Sequence, residues 1–324
     1  MKMKKVVILI NAISTIPTAD ELDVLTQADT IETELKAFGY LTERLFMGLN
    51  MQQVSEQLKK IDPVFVFNLV ESLDGSGRMI YFAPALLEHL HIPFTGSSSE
   101  AFFVTSNKML AKSLMLKKNL PTPEWIEGDF SDRLKPSALY IAKPVWEDAS
   151  VGISDASILR GDKSTVQEFL EKHNDMPYFF EEFIEGREFN ISVLGGQNGP
   201  EVLPMAEIVF EQYPEGKPKI VGYEAKWDEN SFEYHHTVRS FGVEKSDPKL
   251  SHKMKKICID SWKHFGMKGY TRVDFRVDGE GNPWVLEINA NPCLSPDAGF
   301  YAATLQAGYS FKQVVERICE DVWK

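Results

Sequence analysis

The chain has 324 residues, 43% of them hydrophobic and 25% charged, with a formal net charge of -12. Such a length allows two or three domains with large cores, at roughly 100 to 200 residues each, and the composition is that of a globular protein, not a fibre or a disordered tract. The acid excess argues against binding nucleic-acid backbones, which call for concentrated Lys and Arg.

Three widely spaced cysteines, Cys258, Cys293 and Cys319, make neither a disulfide framework nor a zinc knuckle, which fits a reduced, cytoplasmic protein. No stretch approaches the roughly 20 apolar residues of a membrane span. The basic start from Met1 to Lys5 runs into a strand-length apolar segment and lacks the features of a signal peptide.

In chain order, Val6 to Ile10 predicts a buried strand, Thr26 to Phe38 a helix ended by Gly39, Val64 to Asn68 a second strand and Met79 to His91 a helix. This alternation predicts a small parallel sheet with helices on its faces, whose ligands sit beyond the carboxyl ends of the strands, near Asn11 and Asn68 to Gly77. Ser106 to Asn119 reads as one helix, ended by Pro121 and Pro123. Then come a strand at Leu139 to Lys143, a loop from Pro144 to Ser154, a helix from Ser164 to Asn174 capped by Ser164, and a strand at Tyr178 to Ile184. Strands near Glu188 to Leu194 and Leu203 to Phe210, a helix from Pro248 to Gly266 and a closing helix from Ser310 to Trp323 complete the reading.

The segment from Tyr270 to Pro292 carries the most chemistry. Two alternating runs flank Gly279-Glu280-Gly281-Asn282, which predicts an antiparallel hairpin. With the turn centred near Glu280 and Gly281, Asp274 faces Glu287 and Arg272 faces Asn289, while Val273, Phe275 and Val277 oppose Ile288, Leu286 and Trp284 on the apolar face. Two carboxylates and an amide without His or Cys suit Mg²⁺, which keeps waters and shares its shell with substrate phosphates. The alternative is a solvated hairpin face with unrelated charges. His235-His236, like His89 and His91, lacks a second ligand cluster at zinc spacing.

Lys143 ends a strand and enters a loop of small residues containing Ser150 and Gly152, an arrangement that can surround phosphates or be ordinary surface. Small residues from Glu147 to Ser154 also suit a mobile lid that keeps water from a reactive intermediate. The strand from Tyr178 to Phe189 crowds acids among aromatics, which suits either an adenosine slot or an edge strand protected by charge. Lys226, in Tyr223-Glu224-Ala225-Lys226-Trp227, reads as a phosphate contact or a surface lysine.

The ordered set of Phe94-Thr95-Gly96-Ser97, Asn107-Lys108, Ala142-Lys143-Pro144, Ser150 to Ser154, Glu181 to Glu188, Tyr223 to Lys226, Arg272-x-Asp274 and Glu287-x-Asn289 resembles the ATP-grasp superfamily, most closely D-alanine:D-alanine ligases. That resemblance implies an α/β, partly α+β, ATP-grasp fold with a Rossmann-like parallel sheet at residues 1–104, a central subdomain at 105–187 and a metal-bearing subdomain at 188–324. It implies a ligase that joins a small carboxylate to an amine through an acyl phosphate, on substrates other than D-alanine with D-alanine, with a genuine D-alanine:D-alanine ligase or a non-catalytic ATP-binding protein as the alternatives. It also implies ATP, two Mg²⁺ ions with Mn²⁺ as a substitute, and a homodimer; charge and hydropathy, as above, speak against nucleic-acid and membrane partners.

By the same resemblance Lys108, Lys143 and Ser150 contact phosphates, Glu181 with the backbone of Phe183 and Ile184 holds adenine, and Glu188 holds the ribose. Asp274, Glu287 and Asn289 hold metal, while Arg272, Lys226 and Ser150 form the catalytic set.

The amino-acid half departs from those ligases. A Gly-rich turn followed by Glu-x-x-Ser is missing between Asn11 and Glu21, Asn68-Leu69 stands for His-Gly, and Trp227 stands for tyrosine. Their Gly-Met-Thr/Ser segment reads Cys293-Leu294-Ser295-Pro296-Asp297. Ser295 and Asp297 become candidate substrate residues, and an acid at 297 suits a cationic group on the acceptor better than a second carboxylate.

Overall fold

The computed structural model describes residues 4–127, 133–174 and 176–323, so Met1 to Met3 of the basic start lie outside the described residues. Strand β1 (Lys5–Asn11), helix α1 (Ala19–Ala37), β2 (Leu41–Met47), α2 (Met51–Ile61) and β3 (Phe65–Asn68) form a three-stranded parallel sheet ordered β2-β1-β3. Val6, Ile8 and Ile10 enter one core, and Val7 and Leu9 another on the opposite face, as a strand buried on both sides must do.

Three of these elements differ from what the sequence predicts, since neither α2 nor β2 is in the sequence reading and α1 starts earlier than expected. β2 is an edge strand whose Leu41, Glu43 and Phe46 are exposed, so it lacks the continuous apolar run that marks β1. α1 begins seven residues before the expected Thr26, because Glu21 accepts a hydrogen bond from the Thr18 backbone N–H at 3.1 Å and caps a polar first turn.

Helix α3 (Phe82–His89) is followed by α4 (Ser99–Ser106), which the sequence reading does not include, and α5 (Lys108–Lys117), which answers to the helix expected from Ser106 to Asn119. Asn107 makes the break. Its backbone is extended, its side chain accepts from Leu110 N at 3.0 Å to start α5, and Lys108 N reaches Val145 O at 3.1 Å.

The next unit is a four-stranded antiparallel sheet, β4 (Trp125–Glu127), β5 (Leu139–Pro144), β6 (Ile158–Arg160) and β7 (Tyr178–Glu182), in the order β4-β7-β5-β6. Helix α6 (Lys163–Lys172) covers it with Val166 and Phe169. Asp162 caps this helix, not Ser164; the Asp162 side chain accepts from Thr165 N at 2.9 Å and leaves Ser164 inside the first turn.

The largest sheet contains β8 (Arg187–Leu194), β9 (Glu201–Val202), β10 (Ala206–Phe210), β11 (Thr237–Phe241), β12 (Tyr270–Val277) and β13 (Pro283–Asn289), in the order β11-β10-β8-β12-β13 with β9 on β8. Short helices α7 (Tyr223–Trp227), α8 (Phe232–His236) and α9 (Val243–Ser246) precede α10 (Pro248–His264), which packs Met254 and Cys258 against the sheet. Helices α11 (Gly299–Gln306) and α12 (Phe311–Asp321) close the chain and share a core with α1 and β1.

The hairpin has the expected register at its chemical end, with Arg272 opposite Asn289, Val273 opposite Ile288 and Asp274 opposite Glu287. Beyond that point the expectation fails. Phe275 pairs with Val285 and Val277 with Pro283, so Leu286 is the extra residue of a β-bulge and leaves the apolar face. Among the described residues, no helix is long and apolar enough to cross a membrane.

Candidate active site

A cleft opens between the four-stranded sheet and the largest sheet. β5 contributes Lys143, β7 Glu181, β8 Glu188, β12 Asp274 and β13 both Leu286 and Glu287. The bulge explains the last pair, since it lets two consecutive residues line one side of a strand.

At the metal-type end, Arg272 forks onto Asp274, Nε to Oδ1 and Nη2 to Oδ2, both at 2.8 Å. Glu287 lies 3.8 Å from Arg272 and 4.0 Å from the Lys108 ammonium. Burial by itself would raise the Glu287 carboxyl, but Lys108, Arg272, Lys226 and Lys143 together hold it at about 2. Burial keeps Asp274 above the usual range despite the Arg272 fork. Asn289 Oδ1 accepts from Asn291 N at 2.9 Å, which orients the amide at the strand end.

Among the described residues, no three His, Cys, Asp or Glu side chains are grouped to hold a metal unaided. Asp274, Glu287 and Asn289 instead offer two carboxylates and an amide, a partial oxygen shell that fits Mg²⁺ completed by phosphates and water.

The loop after β5 lies over this end. Lys108 Nζ donates to Glu147 O at 2.5 Å and Asp148 Oδ1 at 3.1 Å, and although burial opposes its charge, Asp148 and Glu287 raise its pKa. Ser150 Oγ donates to Val221 O at 2.7 Å, and Trp227 Nε1 to Ala149 O at 3.0 Å. Ala149 and Ser150 both take left-handed backbone angles, φ 55° and 64°, a strained arrangement for residues other than glycine. Lys226, on α7, lines the same cleft, where burial and Arg272 lower its pKa.

At the adenosine-type end, the Glu181 carboxylate is not free. Lys143 binds Oε1 at 2.5 Å, and the fully buried Lys112 binds Oε2. Phe183 and Ile184 line the cleft beside it. Glu188 is paired with Arg276 at 2.9 Å, and burial raises the Glu188 carboxyl. Arg276 also donates to Lys219 O and lies over the Phe183 ring, 5.1 Å from its centroid.

Ser295 and Asp297 separate in the structure. Ser295 is fully buried and donates to Asp23 Oδ1 at 2.6 Å, whereas Asp297 is exposed. The Cys293 thiol donates to Asp23 Oδ2 at 2.8 Å, Gln27 accepts from Leu294 N at 3.0 Å, and Gln27 donates to Glu71 at 2.7 Å. Burial raises the Cys293 thiol, and Glu71 and Asp23 add to the effect. Arg239, on β11, reaches the Asp297 carbonyl at 3.5 Å, which places a cation of this chain at that spot.

The structure therefore adds Lys112, Asp148, Arg276, Asp23, Gln27 and Arg239 to the residues read from sequence. Two of them had a signal. Lys112 follows Lys108 by one helical turn, and Arg276 follows Arg272 and Asp274 at strand spacing, so periodicity places each on the marked face.

Residues 135–320 match the family model described as D-ala D-ala ligase C-terminus, more than half of the chain. The chain belongs to the D-alanine:D-alanine ligase family. A D-alanine--D-alanine ligase of Carboxydothermus hydrogenoformans is 30% identical over 306 residues, covering 91% of both chains. An uncharacterized protein, y4sG, of Sinorhizobium fredii is 29% identical over 90% of this chain and 86% of its own. Among solved structures, the Bacillus anthracis D-alanine--D-alanine ligase complexed with ATP superposes with a TM-score of 0.76 at 19% identity, covering 99% of this chain and 97% of that one. VanG D-Ala:D-Ser ligase of Enterococcus faecalis gives 0.73 at 16% identity, covering 99% and 100%. The chain is thus an ATP-grasp ligase of the kind that forms carbon–nitrogen bonds, and its fold is the one expected from sequence.

Proposed function

We propose that this ligase joins a carboxylate to an amine through an acyl phosphate, on a substrate pair other than D-alanine with D-alanine. The observation that carries this reading is the Cys293 thiol donating to Asp23, because Cys293 stands where the D-alanine ligases it resembles carry the glycine of Gly-Met-Thr/Ser. The alternative, a D-alanine:D-alanine ligase of cell-wall synthesis, is favoured by the names of the relatives.

In the proposed reaction a substrate carboxylate oxygen attacks the γ-phosphorus of ATP and ADP leaves. The amine then attacks the acyl carbon, loses a proton, and phosphate departs. Lys108, Lys143 and Ser150 bind phosphate oxygens, Lys226 meets the transferred group, and Arg272 steadies the oxyanion. Asp274, Glu287 and Asn289 would hold two Mg²⁺ ions, or Mn²⁺ in their place, which supply charge stabilisation to the phosphates.

The backbone of Phe183 and Ile184, with Glu181, faces adenine, and the Glu188 carboxylate accepts from the ribose through a lone pair that Arg276 does not occupy. Asp297 would receive a positive group of the acceptor, in competition with Arg239. The three-part division at residues 104 and 187, a homodimer and a cytoplasmic location belong to the same proposal.

The test is phosphate release from ATP and Mg²⁺ with D-alanine alone and with paired amino acids and amines, for the native chain and Asp297→Ala. D-Alanine alone should turn over poorly, and the preferred acceptor should suffer from Asp297→Ala. Fast D-alanyl-D-alanine synthesis, unaffected by Asp297→Ala, would overturn the substrate reading and the role of Asp297.

A further inference from the structure

Lys112 has no place in the chemistry above, yet it is among the most buried charges in the molecule, with no solvent exposure. It is held in place. Its ammonium donates to Thr122 Oγ1 at 2.7 Å, Thr122 donates to Val285 O on β13 at 2.8 Å, and the Trp125 ring lies 6.0 Å away. Lys143, in contrast, lines the cleft, and its ammonium donates to Glu181 at 2.5 Å.

One buried carboxylate thus carries two ammoniums, one fixed in the core and one at the cleft wall. A buried carboxylate cannot be left without a counter-charge at small cost, because removing a single partner of a buried pair is strongly destabilising. With one lysine only, Glu181 would retain Lys143 and keep it from any incoming phosphate. With two, the one at the cleft is expendable.

We infer that Lys112 is a positioning residue for nucleotide binding: it keeps Glu181 compensated, so that Lys143 can leave that carboxylate for a phosphate. This rests on the assignment of Lys143 to the ATP phosphates. It also gives Glu181 a role as a holder of Lys143 before nucleotide arrives.

The experiment is calorimetric titration of the full chain with Mg²⁺-ATP, and competition with adenosine, for the native protein, Lys112→Met, Glu181→Gln and the double variant. Lys112→Met should weaken Mg²⁺-ATP by about tenfold or more, since Lys143 must then abandon an otherwise unpaired acid. Adenosine, which has no phosphate, should bind within about twofold of native, because the pair term is not engaged. In the Glu181→Gln background the Lys112→Met change should cost less than about threefold, as a neutral amide needs no counter-cation.

Equal losses for ATP and adenosine, native ATP affinity in Lys112→Met, or an undiminished loss in the Glu181→Gln background would each overturn the inference. Lys112→Gln, which can still donate to Thr122, provides the same comparison if Lys112→Met does not fold. A native protein that fails to bind Mg²⁺-ATP would instead overturn the nucleotide assignment itself.

Discussion

The two sides of the cleft are built on different principles. On the nucleotide side, Glu181 meets Lys112 and Lys143, Glu188 meets Arg276 and Asp274 meets Arg272, with each acid and its partners drawn from regular strands or the helix behind them. On the amino-acid side, Asp23 accepts from a hydroxyl, a thiol and the Gln27 amide, Gln27 bridges Glu71 and the Leu294 N–H, and Arg239 reaches the carbonyl of the exposed Asp297. Charge pairing preorganises a site for a polyanion that is the same whatever is ligated, whereas hydrogen bonds from neutral donors on helix and loop can be exchanged without disturbing it.

The comparison breaks most directly at Glu287. Glu287→Gln should lower ATP turnover by about a hundredfold or more at saturating Mg²⁺-ATP while the circular dichroism stays native, because the partial oxygen shell loses a charge at the phosphates. Unchanged turnover in the folded variant would remove the carboxylate from the nucleotide side.

Arg276 tests whether the buried pairs are mutually dependent. Arg276→Met leaves Glu188, only 7% exposed, without its counter-charge, and should cost about 3 kcal/mol in urea unfolding. Adding Glu188→Gln should recover most of that loss. If the double variant is no more stable than Arg276→Met, the guanidinium acts through Lys219 O and the Phe183 face instead.

A milder change sharpens the boundary at the loop. Trp227→Phe removes the bond to Ala149 O and should speed amide exchange across residues 147–154 in the nucleotide-free protein, with about 1 kcal/mol less protection. Addition of Mg²⁺-ATP should slow exchange there in the native chain. Equal exchange with and without nucleotide would end the lid reading.

Far from the cleft, Glu32 supplies the reference. Lys36 chiefly, with Thr42 and Arg44 against the opposing effect of burial, brings its carboxyl from 4.5 down to about 2. A carboxyl lowered on folding stabilises above its unfolded pKa, so native stability should exceed that of Glu32→Gln at pH 6 and lose the excess as pH falls from about 4.5 to 2. Exposure of Lys36 limits the effect to about 1 kcal/mol, read as the urea midpoint difference.

What the sequence discloses follows the same division. Strand alternation is local, so residue spacing alone places Arg272 opposite Asn289 and Asp274 opposite Glu287, and the same count reaches Arg276. The link from Asp23 to Ser295 spans 272 residues and has no periodicity to announce it. β2 is hidden for a related reason, since a half-exposed edge strand with Glu43 and Arg44 at its middle has no apolar run. The helix break at Asn107 is written as an ordinary polar residue, and only its hydrogen bond to Leu110 N gives it meaning.

The bulge at Leu286 puts the two halves of β13 in different frames relative to β12. The turn from Asp278 to Asn282 sets the frame of the outer half, and the carboxylate face sets that of the inner half. A one-residue insertion or deletion near the turn can therefore be absorbed at the bulge as a change in its size, without rotating Glu287 to the other side of the sheet. The hairpin can tolerate a change of length at its tip while its chemistry stays in phase.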